Sequence, residues 1–172
     1  MSKVHDQARE LVRRSGARVT SARVAVLAEL LSAGAALTHQ ELQARLDRRR
    51  DDDGSDRVAG RAPGADGDAG ASGPSSVHAL DRVTLYRVLD WLVDAGLAHR
   101  VPDPDRVMRF SAGSEGRAPD GHHGHFRCDV CQQVFCLADS PRLPDWVRQL
   151  LPPGFAAERM ELTVSGRCAR CA

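Results

Sequence analysis

Apolar positions recur with a helical period through most of the first hundred residues, and with the period of two expected for strands near the C-terminus. Val4, Ala8, Leu11 and Val12 share one face of a predicted helix over 4–15, which Gly16 can end. Thr20 predicts an N-cap for a second helix whose stripe is Val24, Leu27, Leu30 and Leu31 and whose stop is Gly34. Thr38 followed three residues later by Glu41 is a capping box, opening a third helix with Leu42 and Leu46 inward. Asp81 can cap a fourth, with Leu85, Val88, Leu89 and Leu92 on one face, Arg82, Tyr86, Arg87 and Asp90 on the other, and Gly96 at its end. Residues 97–101 and 107–110, joined by Pro102-Asp103-Pro104-Asp105, read as a β-hairpin. Three or four short helices followed by a hairpin is the order of a winged helix-turn-helix; a generic helical domain with an unrelated hairpin is the alternative.

After a Gly- and Pro-rich break at 113–121 the pattern shortens. Residues 126–128 and 134–137 are strand candidates, and 144–151 can form a helix with Trp146, Val147 and Leu150 inward. Met160, Leu162 and Val164 then alternate up to Ser165-Gly166. This is a small α+β unit, of a size that often needs a staple. Between the two patterns, 23 of the 26 residues over 51–76 are Asp, Gly, Ser, Ala or Pro. Such a stretch buries too little apolar surface to offset its ordering entropy. The expected organisation is an N-terminal domain over 1–110 carrying a flexible insertion at about 47–79, a linker over 111–121, and a second domain over 122–172.

Charge changes the picture only when it is divided by segment. The 172 residues carry a formal net charge of +1, but residues 1–50 hold 10 basic and 5 acidic side chains, and 51–79 hold 2 and 6. The helical part is thus locally basic, as a nucleic-acid partner would require. The longest apolar runs, such as Val24-Ala25-Val26-Leu27, fall far short of the ~18 residues of a membrane helix. The N-terminus also lacks an apolar signal core. The expectation is a cytoplasmic protein with no membrane partner, in which five cysteines stay reduced and suggest metal rather than disulfides.

Cys128-Asp129-Val130-Cys131 and Cys168-Ala169-Arg170-Cys171 are two C-x-x-C knuckles. Each turn offers two thiolates to adjacent corners of a tetrahedron, and four thiolates with no open position make a structural zinc site. A redox dithiol is the competing reading, but such a pair usually occurs once, beside a βαβ pattern that is missing here. Cys136, the fifth cysteine, sits in a strand candidate near His122, His123 and His125. It reads either as a small buried hydrophobe or as a ligand. His123 and His125 share one face of an extended strand, so they could share a metal with Cys136, and His99 in the first hairpin strand is a possible fourth ligand. His122 falls on the opposite face. His5, His39 and His78 read as solvated surface residues.

Four stretches together resemble the ferric uptake regulator family of bacterial metal-sensing repressors. They are Arg18-Val19-Thr20-Ser21-Ala22-Arg23; Thr84-Leu85-Tyr86-Arg87-Val88-Leu89 with Asp94-Ala95-Gly96-Leu97; His122-His123-Gly124-His125-Phe126-Arg127-Cys128-Asp129-Val130-Cys131; and Gly166-Arg167-Cys168-Ala169-Arg170-Cys171. The resemblance implies an α+β protein in which a winged helix-turn-helix DNA-binding domain precedes a small α+β dimerisation domain with a four-cysteine zinc site. It implies a homodimer on double-stranded operator DNA, with structural zinc on Cys128, Cys131, Cys168 and Cys171. It also implies a regulatory metal at the hinge on His99, His123, His125 and Cys136. Thr84, Tyr86 and Arg87 match the DNA-reading helix, and Arg18 and Arg23 match basic contacts near the second helix.

Two departures bear on the metal. Ala36 stands where many members, iron sensors especially, carry a His just before the third helix, and Ser111 follows Phe110 where many carry a Glu or Cys. Cys136 itself replaces a frequent Glu. Imidazoles with a thiolate suit tetrahedral zinc better than iron, which points to the zinc uptake regulator branch. The expectation is therefore a zinc-responsive repressor of metal-uptake genes, not an enzyme and without a small-molecule substrate. The rivals are an iron- or peroxide-responsive relative, a zinc enzyme using His99, His123 and Cys136 with water, and a zinc protein switched by thiol oxidation.

Overall fold

The computed structural model describes residues 3–58, 80–102, 107–113, 124–137, 143–157 and 162–172. Helices α1 (Lys3–Arg14), α2 (Ser21–Ala33), α3 (His39–Val58) and α4 (Arg82–Asp94) pack on a sheet of β1 (Leu37–Thr38), β2 (Ala98–Pro102) and β3 (Met108–Ala112). The strand order is β1-β3-β2, antiparallel throughout. The expected caps form. Thr20 accepts from the Arg23 amide, Asp81 from the Thr84 amide, and Gly34 closes α2 in the left-handed region at φ 65°. Thr38 and Glu41 bond reciprocally, at 3.1 and 2.7 Å.

With so few aromatic residues, the core between these helices is aliphatic. Leu27, Leu42, Leu85, Leu89 and Leu92 are fully buried, with Val12 and Val26 beside them, and Phe110 of β3 closes the sheet side. The hairpin expected over 97–110 is β2–β3, with its first strand displaced one residue along the chain, so that Pro102 pairs with Met108, and its second strand extended to Ala112. The two-residue β1 that completes this sheet is too short to leave a periodic signal in the sequence.

One boundary needs correction. Composition places the insertion from about residue 47, but α3 continues to Val58. Buried Glu29 of α2 forms an ion pair with Arg49, anchoring the helix beyond that point. The basic run at 48–50 followed by Asp51, Asp52 and Asp53 also sets opposite charges three and four residues apart, which suits a helix. The rest of the expected insertion, 59–79, lies outside the described residues.

The second sheet has the order β5-β4-β6, from β4 (His125–Cys128), β5 (Val134–Cys136) and β6 (Thr163–Gly166), and α5 (Leu143–Leu150) lies between β5 and β6 in the chain. β4 pairs antiparallel with β5 and parallel with β6. Leu150, expected inward, is instead 63% exposed, and Val164 on the sheet edge is 43% exposed. The side chains of Trp146 and Val147, and the whole of Met160, lie outside the described residues. The two sheets meet through the Ala36 amide bonded to the Val134 carbonyl at 2.7 Å, and through the buried trio Ala36, Val101 and Val134, against which Cys136 packs.

Candidate metal centres and nucleic-acid interface

The first knuckle is the turn after β4. The Cys128 amide bonds to the Gln133 carbonyl and the Gln132 amide to the Cys128 carbonyl, both at 2.9 Å. Gln132 takes the left-handed conformation that lets the chain return as β5. The second knuckle follows β6, closed by the Cys171 amide on the Cys168 carbonyl at 2.8 Å. Because β6 lies beside β4, the two turns come together. The sulfurs of Cys128, Cys131, Cys168 and Cys171 all lie within 4.8 Å of one another, and no disulfide joins them.

The charge pattern of this cluster is that of a cation site. Amides of Cys131 and Cys168 hold the Cys128 thiol down at about 6, whereas the neighbouring thiols, Cys168 first, push Cys171 up to about 12. The backbone amide of Arg170 likewise lowers Cys168. The Cys128 thiolate is stabilised by the backbone, and that of Cys171 is disfavoured near neutral pH unless a positive charge compensates it. The Cys131–Cys168 sulfur separation is 3.8 Å, the edge expected (~3.8 Å) of a tetrahedron with ~2.3 Å zinc–sulfur bonds. The donor set fits a closed structural zinc site.

A second cluster joins the sheets. His125 opens β4 and Cys136 ends β5, directly opposite one another in the register. His99 comes from β2 of the other sheet, and its Nε2 lies 3.2 Å from Cys136 Sγ. Ligand atoms of His99, His125 and Cys136 lie within 4.8 Å of one another, and all three residues are half-buried. Three of the four expected hinge ligands are thus brought together from three strands. His123, the fourth, and its neighbour His122 lie outside the described residues. Two imidazoles and a thiolate converging at a half-buried junction fit a borderline-soft divalent ion.

The outward face of α4 carries Val83, Tyr86, Arg87 and Asp90, and Tyr86 is 41% exposed. Arg18 is exposed just before α2. Arg23 donates to the Arg18 carbonyl at 2.8 Å and lays its guanidinium 3.8 Å over the Trp91 ring, tying α2 to α4. The Thr84 hydroxyl donates to Asp81 at 2.6 Å within the cap of α4. All five residues expected at a DNA surface therefore cluster at or beside α4 and the start of α2.

His39 corrects an expectation. It is only 9% exposed and stacks on Tyr86, with ring centroids 4.0 Å apart and planes at 14°. The signal is available in the periodicity, since His39, Leu42 and Leu46 fall at i, i+3 and i+7 on the inward face of α3.

No protein-family model matches the chain, and no curated protein does. Solved structures do match. The chain is similar to a zinc uptake regulator complexed with zinc and DNA, at 18% identity and a TM-score of 0.60, covering 99% of this chain and 95% of that one. It is similar to the ferric uptake regulator of Vibrio cholerae at 20% identity and a TM-score of 0.53, covering 93% and 98%. It is similar to a zinc-bound manganese uptake regulator at 21% identity and a TM-score of 0.53, covering 95% and 98%. These likenesses extend over nearly the whole chain and establish its fold as the α+β arrangement of those proteins.

Proposed function

We propose that this chain is a metal-responsive, DNA-binding transcriptional repressor of the ferric uptake regulator family, and that zinc is its effector. The observation that carries the reading is the second cluster. His99, His125 and Cys136 come from different strands, meet where the two sheets touch, and include a thiolate but, among the described residues, no carboxylate. Such a set favours zinc over iron or manganese.

In this reading residues 1–110 form the DNA-binding domain and 122–172 the dimerisation domain. Cys128, Cys131, Cys168 and Cys171 hold a structural ion whose binding is part of the folding free energy. His99, His125 and Cys136, with His123 as the further candidate, hold the regulatory ion. When bound, a divalent ion there supplies a charge-compensated crosslink. His99 is then held against β4 and β5, and that fixes the angle of the helical domain. Two copies of α4 in a dimer can then match successive major grooves. Arg18, Arg23, Thr84, Tyr86 and Arg87 form the DNA face, Tyr86 meeting a thymine methyl and Arg87 a phosphate or guanine edge. Self-association is supported by the edge position of β6 with exposed Val164, and by Leu150 and Phe155, 63% and 69% exposed in the isolated chain.

The test is DNA binding to duplexes from uptake-gene promoters, with zinc, Fe(II) and Mn(II) added in turn to protein stripped of weakly held metal, alongside metal content per chain. Zinc should restore tight binding at two zinc ions per chain. A response to Fe(II) and not to zinc would overturn the choice of effector and leave the repressor reading standing.

A further inference from the structure

Tyr86 is the chain's only tyrosine, and it stands on the exposed face of α4. We propose that His39 is a positioning residue for Tyr86, its buried imidazole serving as the platform that fixes the phenol before DNA arrives. The proposal rests on the reading of α4 as the DNA-facing helix.

An exposed tyrosine on a helix ordinarily exchanges between rotamers. Here the ring lies almost flat on His39, 4.0 Å between centroids. The platform is itself rigid. His39 is the first residue of α3, directly after Thr38 of the Thr38–Glu41 capping box, and Leu37 pairs with Phe110 in the sheet. Arg109 of β3 reaches Glu41 at 3.4 Å, holding the same turn from the other side. The Arg82 guanidinium lies 5.9 Å from the Tyr86 ring centroid and borders the stack. A side chain ordered in advance does not lose that freedom on binding, and the gain amounts to about 2–10-fold in affinity.

A single tyrosine makes this measurable without DNA. Protein labelled with 3-fluorotyrosine gives one 19F resonance. In zinc-loaded parent protein it should sit away from its position in denaturant, His39→Ala should move it most of the way there, and His39→Phe should keep it displaced. Binding to a duplex selected from random sequence by the zinc-loaded parent should weaken about 2–10-fold in His39→Ala and recover in His39→Phe. In a Tyr86→Ala background, His39→Ala should cost nothing further. An unmoved resonance in a folded His39→Ala protein overturns the proposal, and so does a full His39→Ala penalty without Tyr86. If His39→Ala does not fold, loss of the resonance shift or of affinity in a cooperatively melting His39→Phe protein overturns it instead. Unchanged affinity in Tyr86→Ala would instead overturn the DNA reading of α4 and with it the proposed role in binding, while the resonance still decides whether the stack exists.

Discussion

Cys136→Ser separates sensing from folding. Among the described residues, the contacts seen between the two sheets include one backbone hydrogen bond, three buried aliphatic side chains, and the donors His99, His125 and Cys136. An amide hydrogen bond contributes about 1 kcal/mol net. Three small side chains contribute at most ~6 kcal/mol at ~0.8 kcal/mol per carbon buried. Ordering one folded unit against another costs about as much, at least ~4 kcal/mol for untethered bodies. On these contacts the docked arrangement would be near balance without ligation, and in the proposed reading a bound ion would decide it. An ion present at a hundred times its dissociation constant adds about 2.7 kcal/mol to the state that binds it. That shifts the ratio of docked to undocked protein ~100-fold, which is the ceiling on the gain in DNA affinity and lies inside the range of measured allosteric couplings. Serine removes the thiolate while nearly preserving shape, so the gain should fall toward unity.

The assay is fluorescence anisotropy of a labelled duplex across buffered zinc activities, with metal analysis and a thermal melt on the same preparations. Cys136→Ser should keep one zinc per chain, its dimer and its melt, and lose the zinc response. If it still bound two zinc ions and responded with parental sensitivity, Cys136 would be a packing residue of the Ala36–Val101–Val134 cluster. His122 would then be the next ligand to test.

Cys128→Ser or Cys171→Ser should remove the other zinc and the cooperative unfolding of 124–172, because structural metal binding is folding free energy; a retained zinc count with an intact melt would disprove the four-thiolate site. Arg87→Ala should weaken DNA binding and flatten the log–log salt slope by ~0.9 for each phosphate that the guanidinium neutralises, whereas Arg148→Ala on distant α5 should change neither; equal effects would argue against α4 as the reader. Burial, with the charge of Arg82 in addition, holds the His39 pKa below 6.5. The stability from its neutral form is therefore complete above ~6.5 and lost as pH falls through the lower folded value. The thermal midpoint of the parent should drop on acidification more than that of His39→Phe, and parallel curves would refute the shift.

What is legible in the sequence is what depends on near neighbours in the chain. Thr20, Thr38 and Asp81 bond to residues three positions on, so their caps can be read directly, and Leu85, Val88, Leu89 and Leu92 declare the inner face of α4 by spacing alone. The knuckles are legible because each half of the site is four residues long. Long-range pairing is not. Nothing local says that β6 runs parallel to β4, although that pairing is what brings Cys168 and Cys171 to Cys128 and Cys131. Composition misplaces the end of α3, since counting Asp and Gly overlooks charges three and four apart and the Glu29–Arg49 pair, whose partners are twenty positions distant. Leu150 and Val164 follow the apolar pattern yet stay exposed, because that pattern records a surface to be covered and not what covers it.

In the proposed reading, the same geometry would carry ligation at one end of the helical unit to DNA at the other without a flexible relay. His99 lies in β2, which follows α4 after a tight turn with Gly96 at φ 69°. The Ala95 and Leu97 amides bond back to Trp91 and Leu92 at 2.9 Å, and the Gly113 amide bonds to the Leu97 carbonyl at 2.8 Å. A side chain on Gly113 would meet the Gly96 carbonyl at 2.8 Å, so the strand end is packed directly on the turn. Arg100, beside His99, pairs with Asp90 of α4 at 2.7 Å, and Ala98 is buried in the helical core. His99 and α4 therefore move as one body. Close-packed interiors do not deform gradually, so in the proposed reading an ion that held His99 against His125 and Cys136 would fix the orientation of Tyr86 and Arg87 along with it. An effector acting there needs only to choose between orientations of a rigid unit, and a coupling of a few kcal/mol is enough for that.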